Sequence, residues 1–169
     1  EICSTVQLGE DVDPGYLFSE YLWITGTSKT ALKYSQDFTE KALSHFSDND
    51  SQLFVVEVAS NDGTFLQQFQ KNSCKVLGVD PAINIAEIAS RKGIPTEADF
   101  FTKELAESIQ LKDGFADLIY ARNVIPHVKE IHSVISGIEA LLSNNGVGII
   151  EFHNAVSYTH LTLPTIYSV

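Results

Sequence analysis

The stretch Leu53-Phe54-Val55-Val56-Glu57-Val58-Ala59-Ser60-Asn61-Asp62-Gly63 runs from a short apolar, β-branched segment into an acid and a polar turn. A strand that is apolar on both faces is buried on both faces, the pattern of a parallel sheet covered by helices. Thr64 to Lys71 then reads as a helix, and the unit recurs downstream. Lys75-Val76-Leu77-Gly78-Val79 is a second strand, followed by a helix through Ile85, Ala86, Ile88 and Ala89 that stops at Lys92-Gly93. Pro95 to Ala98 is a weak third strand, leading to a helix from Thr102 to Ile109, and Ala116 to Ala121 is a fourth strand. A helix with Ile131, Val134, Ile135, Ile138, Leu141 and Leu142 on one face ends at Asn144-Asn145-Gly146, and Val147 to Phe152 is the fifth strand. The alternation predicts an α/β fold, a doubly wound parallel sheet with right-handed crossovers. Ligands of such folds bind outside the carboxyl ends of the strands, so the loops after strands one, two and four are where chemistry is expected.

Upstream of this core, Ser28 is placed to cap a helix carrying Ala31, Leu32, Phe38, Ala42 and Phe46, and Ser47-Asp48-Asn49-Asp50-Ser51 makes a polar break. Residues 1–28 hold Glu1, Glu10, Asp11, Asp13 and Glu20 and no base, and read as a lead-in. Residues 29–152 form the core, and 153–169 read as a non-native or disordered tail. The chain has 169 residues, 44% of them hydrophobic, enough for one ordinary domain. Its 11 Lys and Arg against 22 Asp and Glu leave a formal charge of −11, which disfavours nucleic acid and anionic membrane surfaces as partners. Cys3 and Cys74 make no disulfide framework, and no apolar run approaches a membrane span, so a cytoplasmic location is the default expectation. The chain starts at Glu1 and has no Met, and is read as a fragment.

Only Gly63 is a glycine in the first loop, and Asp62 would set a carboxylate against any phosphate, so a diphosphate cradle is not expected. Asp80, at the tip of the second strand, stands where nucleotide-binding α/β units carry the acid that accepts both ribose hydroxyls. Asp99, after the third strand, is placed to reach an adenine amine, with Phe100 or Ile83 as the packing surface for the base. A ribose and an adenine without a diphosphate describe S-adenosylmethionine.

The blocks Val56 to Gly63, Leu77 to Ala82 with Asn84, Gly93 to Thr96 with Phe100-Phe101, and Ala121 to Val124 with His127-Val128 occur in an order that resembles the class I methyltransferases acting on nucleotide-linked deoxysugars. The resemblance covers Cys3 to Phe152, and the ordered run of blocks is more specific than any single one. It implies a Rossmann-like core and methyl transfer from S-adenosylmethionine to a carbon of a nucleotide-linked keto-sugar. It implies cofactor contacts at Glu57, Ser60, Asn61, Gly63 and Asp80, with His127 in the loop beside the transferring methyl; Pro81, Asp99, Phe100 and Asn123 complete the expected cofactor-binding set. It also implies that Cys3 is the last ligand of an amino-terminal zinc lobe, since a structural zinc needs four ligands and Cys3 and Cys74 cannot supply them.

The chain departs from the family after Phe152. The resemblance implies two strands beyond the fifth, a Tyr-His-Glu-His motif further on with a deprotonation role in the active site, and a second carboxy-terminal α/β domain; Tyr158 and His160 are not read as that motif, so the principal base is expected outside this chain. The sheet is therefore expected to be cut after strand five, and the chain to be inactive or weakly binding by itself if the missing part is essential. Rival functions are an O- or N-methyltransferase on another small molecule and a nicotinamide-dependent dehydrogenase, the latter opposed by the single glycine of the first loop. Plainer roles stand beside each site residue: a salt bridge for Glu57, a turn for Asp80-Pro81, a helix cap for Asp62, a surface position for His127, and core packing for Phe65, Phe69 and Phe101. Replacing Asp80 by Ala removes ribose hydrogen bonds and no core volume, so the fold is expected to survive it.

Overall fold

A computed structural model of the chain describes residues 22–46 and 51–152; Cys3, Tyr158 and His160 lie outside them. The Ser28 hydroxyl accepts the Ala31 N–H and starts helix α1, Lys29–Leu43, as its position before the apolar period requires. Strands and helices then alternate: β1 Phe54–Val58, α2 Thr64–Lys71, β2 Lys75–Val79, α3 Ile83–Arg91, β3 Thr96–Glu97, α4 Lys103–Asp113, β4 Ala116–Arg122, α5 Ile131–Leu141 and β5 Leu142–Glu151. The sheet order is β3-β2-β1-β4-β5 with every pair parallel, so the strand order reverses between β1 and β4. This is the expected doubly wound sheet.

The near-continuous apolar strands bury alternate residues on opposite faces. Val56, Val58, Leu77, Val79, Ile119 and Ala121 pack against Phe101, Ala106 and Ile109 and against Val134 and Leu141 of α5. Val55, Val76, Leu118 and Tyr120 face the other way, onto Ala42 of α1, Phe65, Leu66 and Phe69 of α2 and Ala89 of α3. Every residue of β1 is buried, including Glu57.

Two boundaries differ from expectation. α4 continues past Ile109 to Asp113, where Gly114 at φ 92° ends it. α5 stops at Leu141, and Asn144-Asn145-Gly146 lies inside β5 instead of closing the helix. The reason is pairing: Ala116 sits opposite Leu142 and Leu118 opposite Val147, so the polar segment is a bulge that lets β5 start early and still reach register.

The close approach of α4 to α5 depends on Gly137. A Cβ there would stand 2.9 Å from the Phe101 ring and 3.0 Å from the Thr102 carbonyl oxygen. Gly137→Ala is therefore expected to cost about 1–3 kcal/mol through overpacking. Thermal unfolding checks this, and an unchanged midpoint would refute so tight a contact.

Candidate functional site

The carboxyl ends of β1, β2, β4 and β5 converge at one end of the sheet. The loop after β1 turns sharply, with left-handed backbone at Ala59 (φ 56°), Asn61 (φ 49°) and Gly63 (φ 72°). Only one of these is the glycine such a conformation favours, so the turn is strained at Ala59 and tolerated at Asn61. The glycine count understated how tightly this backbone bends. A Cβ at Gly63 would meet Ile94 at 3.0 Å.

Asp80 holds the bend. One carboxylate oxygen accepts the Asn61 N–H at 2.8 Å and the other accepts the Ala82 N–H at 3.0 Å. Burial pushes the Asp80 carboxyl above its ordinary value, and the two backbone donors pull it back. Each oxygen keeps a lone pair, so the group can also receive two hydroxyl donors. Pro81 follows it, half-buried, at the start of the turn into α3.

The other predicted residues divide. Asn61 spends its side chain on the lead-in: its Oδ1 accepts the Thr25 N–H and its Nδ2 donates to the Trp23 carbonyl, both at 2.9 Å. Ser60 is 2% exposed, and a Cβ placed on Gly78 would meet its hydroxyl at 2.4 Å, so the serine fills the space that Gly78 leaves between β1 and β2. Asp62 does not cap α2, whose N-cap Gly63 makes no side-chain bond; it is fully buried, paired with Lys92, and accepts the Thr64 hydroxyl and the Gly26 N–H. Asp99 is exposed and accepts the Phe100 N–H at 2.7 Å. Phe100 and Ile83 present 39% and 59% of their surface, leaving apolar area beside the Asp80 end of the sheet. His127 is exposed on a short 3-10 turn, Ile125–His127, after β4.

Glu57 is built into an ion pair. Its Oε1 accepts from Arg122 Nη2 and its Oε2 from the Tyr120 hydroxyl, each at 3.0 Å, and it is 1% exposed. The Arg122 guanidinium lies 3.2 Å over the Phe65 ring, and its Nε is buried without a hydrogen-bond partner. The plain salt-bridge reading of Glu57 thus holds, with both oxygens engaged by β4. Burial raises its carboxyl from 4.5 to about 7, against the pull of Arg122 and Tyr120. The sequence reading did not single out Arg122, Tyr120, Tyr34 or Glu151, which the structure joins by hydrogen bonds at the same strand ends. Glu151 carried the same signal as Glu57 and Asp80, an acid on the carboxyl end of an apolar strand.

A separate groove of about 370 Å³ lies toward the amino ends of β1 and β2, lined by Phe54, Cys74, Lys75 and Lys112. Its lysines are neutralised by Asp113 and Glu97, each at 3.0 Å. Among the described residues no cluster of three or more metal-ligating side chains occurs, and no helix is long and apolar enough to cross a membrane.

Two outcomes follow for stability. Asp80→Ala leaves the buried Asn61 and Ala82 N–H groups without their acceptor, a cost the sequence reading of Asp80 did not include: about 2 kcal/mol or more should be lost. Denaturant unfolding measures it, and a wild-type midpoint would contradict the latch. For Glu57, between 4.5 and about 7 the folded chain holds a proton that the unfolded chain releases, so stability falls as pH rises through that window. Wild-type stability relative to Glu57→Gln should decline from pH 4.5 to 7 and level off above it, and a flat difference would refute the buried charge.

Comparison with known proteins sets this geometry in a family. A family model described as a methyltransferase domain matches residues 31–166. C-methyltransferase NovU of Streptomyces niveus is 32% identical over 149 residues, which cover 88% of this chain and 35% of that protein, so the chain spans about a third of the relative's length. A SAM-dependent methyltransferase from Archaeoglobus fulgidus superposes with a TM-score of 0.63 at 14% identity, over 79% of this chain and 59% of that one. The plantazolicin methyltransferase BpumL, solved with a desmethylPZN analogue and SAH, gives 0.61 at 13% identity, over 83% and 53%. The structural likenesses carry the fold, a Rossmann-like parallel sheet, and with the matched family model they place the chain in the class I methyltransferase family.

Proposed function

We propose that the chain binds S-adenosylmethionine across the carboxyl ends of β1 and β2 and serves methyl transfer to a small molecule. The observation that carries this reading is Asp80: a buried carboxylate at the switch-point end of β2, holding the first loop with one lone pair per oxygen and keeping the other for ribose hydroxyls. The residues present fit the cofactor. Ile83 and Phe100 supply exposed apolar surface for adenine, with Asp99 beside them, and the left-handed turn at Ala59, Asn61 and Gly63 brings backbone close to the ligand. Glu57 and Ser60 are both buried, so Glu57, paired with Arg122, supports the strand end beneath the site and Ser60 shapes the loop. A single glycine in that turn favours this ligand over a nicotinamide dinucleotide.

The cofactor, when bound, supplies a methyl group on a positively charged sulfur. The chain's own task is to orient it, with the Asp80 carboxylate at the end of β2 and Glu57 already paired with Arg122 beneath it. The 32% identity to a C-methyltransferase supports a carbon acceptor, and we read a nucleotide-linked keto-sugar as the substrate class, with exposed His127 assisting on the acceptor side. Transfer to such a carbon also needs a base that removes a proton beside the carbonyl.

Calorimetric titration with S-adenosylhomocysteine tests the proposal. Wild-type chain should bind saturably, Asp80→Asn should lose about tenfold or more in affinity, and His127→Ala should keep wild-type affinity. Equal affinity for the Asp80 variant, or a thermal shift with NAD and none with S-adenosylmethionine, would overturn it.

A further inference from the structure

Two asparagines expected at the cofactor spend their side chains inside the protein. Asn123 donates its Nδ2 to Glu151 at 3.2 Å, and Asn61 grips the lead-in. Residues 23–27 cross the loop after β1 and enter α1 through Ser28. Three backbone groups seat them on two side chains. The Trp23 carbonyl accepts from Asn61 Nδ2 and the Thr25 N–H donates to Asn61 Oδ1, both at 2.9 Å, while the Gly26 N–H donates to Asp62 Oδ2 at 3.2 Å. Only glycine fits the third position, since a Cβ on Gly26 would stand 2.6 Å from that Asp62 oxygen and 2.7 Å from the Thr64 hydroxyl. Asp62 is itself fixed by its pairing with Lys92 and by the Thr64 hydroxyl it accepts.

No residue of the turn Thr25–Thr27 is buried, and Trp23 is 63% exposed. The segment therefore seats on polar bonds with little apolar area behind them, and a piece held in this way can lift while the sheet stays folded. Asn61 is the part it shares with the site. Its backbone N–H is held by the Asp80 carboxylate at 2.8 Å, and its carboxamide is held by the segment. Asparagine adopts the left-handed φ of 49° readily, and that one conformation aims both groups at their partners. A ligand resting on Asp80 and the first loop, and the segment seated on the same loop, order the same residues. Whichever is in place lowers the ordering cost left to the other.

We propose that residues 23–27 are a strap coupled to the cofactor site through Asn61: the strap seats more firmly when the site is filled, and the seated strap tightens the hold on the ligand. The inference rests on the cofactor reading above and adds a conformational device to it. Because the coupling is a free energy shared by two sites, it acts equally in both directions.

Amide hydrogen exchange of the full chain reads the strap directly at the Thr25 and Gly26 N–H groups. Saturating S-adenosylhomocysteine should slow exchange at both about tenfold, and at Gly114, bonded to Gln110 at the end of α4, by less than about twofold. Thr25→Pro deletes one strap donor where proline fits, since Thr25 opens its turn and Ile24 before it is extended, φ −115° and ψ 116°. This variant should bind S-adenosylhomocysteine about tenfold more weakly, the same factor read from the other side, with its denaturant midpoint near that of wild type. Gly26→Ala, which blocks the seat from the Asp62 side, should repeat the loss. A merely structural segment would lower the midpoint and leave affinity alone. Wild-type affinity in either folded variant, or exchange at Thr25 and Gly26 indifferent to bound ligand, overturns the coupling and leaves the cofactor reading standing. If neither variant folds, exchange in the wild-type chain decides alone, and failure of that chain to bind S-adenosylhomocysteine overturns both.

Discussion

The Asp80 carboxylate accepts two backbone N–H groups from segments that would otherwise diverge, Asn61 in the turn after β1 and Ala82 at the start of α3. Much of the carboxyl end of the sheet depends on that pair of bonds. With Asn61 fixed, its side chain reaches Trp23 and Thr25 and draws the lead-in across the loop, while Gly26 meets Asp62. The bend requires left-handed backbone at Ala59, which costs free energy in any L-residue, and the latch is what offsets that cost. One residue is thereby a structural anchor and, in the proposed function, the ribose-binding group.

The second organising feature is a line of acids at strand ends. Glu57, Asp80 and Glu151 close three strands of one parallel sheet, and each is held differently: Glu57 by an arginine and a phenol, Asp80 by backbone, Glu151 by a phenol and an amide. A buried ion pair such as Glu57 with Arg122 contributes little net stability, because desolvation offsets its attraction. Its value is positional. It keeps a charged group under the switch point and packs Arg122 on Phe65, tying β4 to α2.

The fold was legible because short apolar, β-branched runs such as Phe54–Val58 and Lys75–Val79 alternate with helical segments, the pattern of a parallel sheet covered on both faces. The helix stop at Asn144-Asn145-Gly146 misread because pairing across to Ala116 outweighed local turn propensity. Asp80 was legible by its place at a strand tip. The inward turn of Asn61 and Ser60, and the Tyr34 to Glu151 contact across 117 positions, were not, since tertiary packing alone decides which polar groups spend their hydrogen bonds internally.

The measurement that bears most directly on this account is a crystal structure of the chain with S-adenosylhomocysteine bound. Both ribose hydroxyls should lie on the Asp80 carboxylate with the Asn61 and Ala82 bonds intact. A ribose held elsewhere, or an Asp80 that must release Asn61 before the ligand can bind, would contradict it.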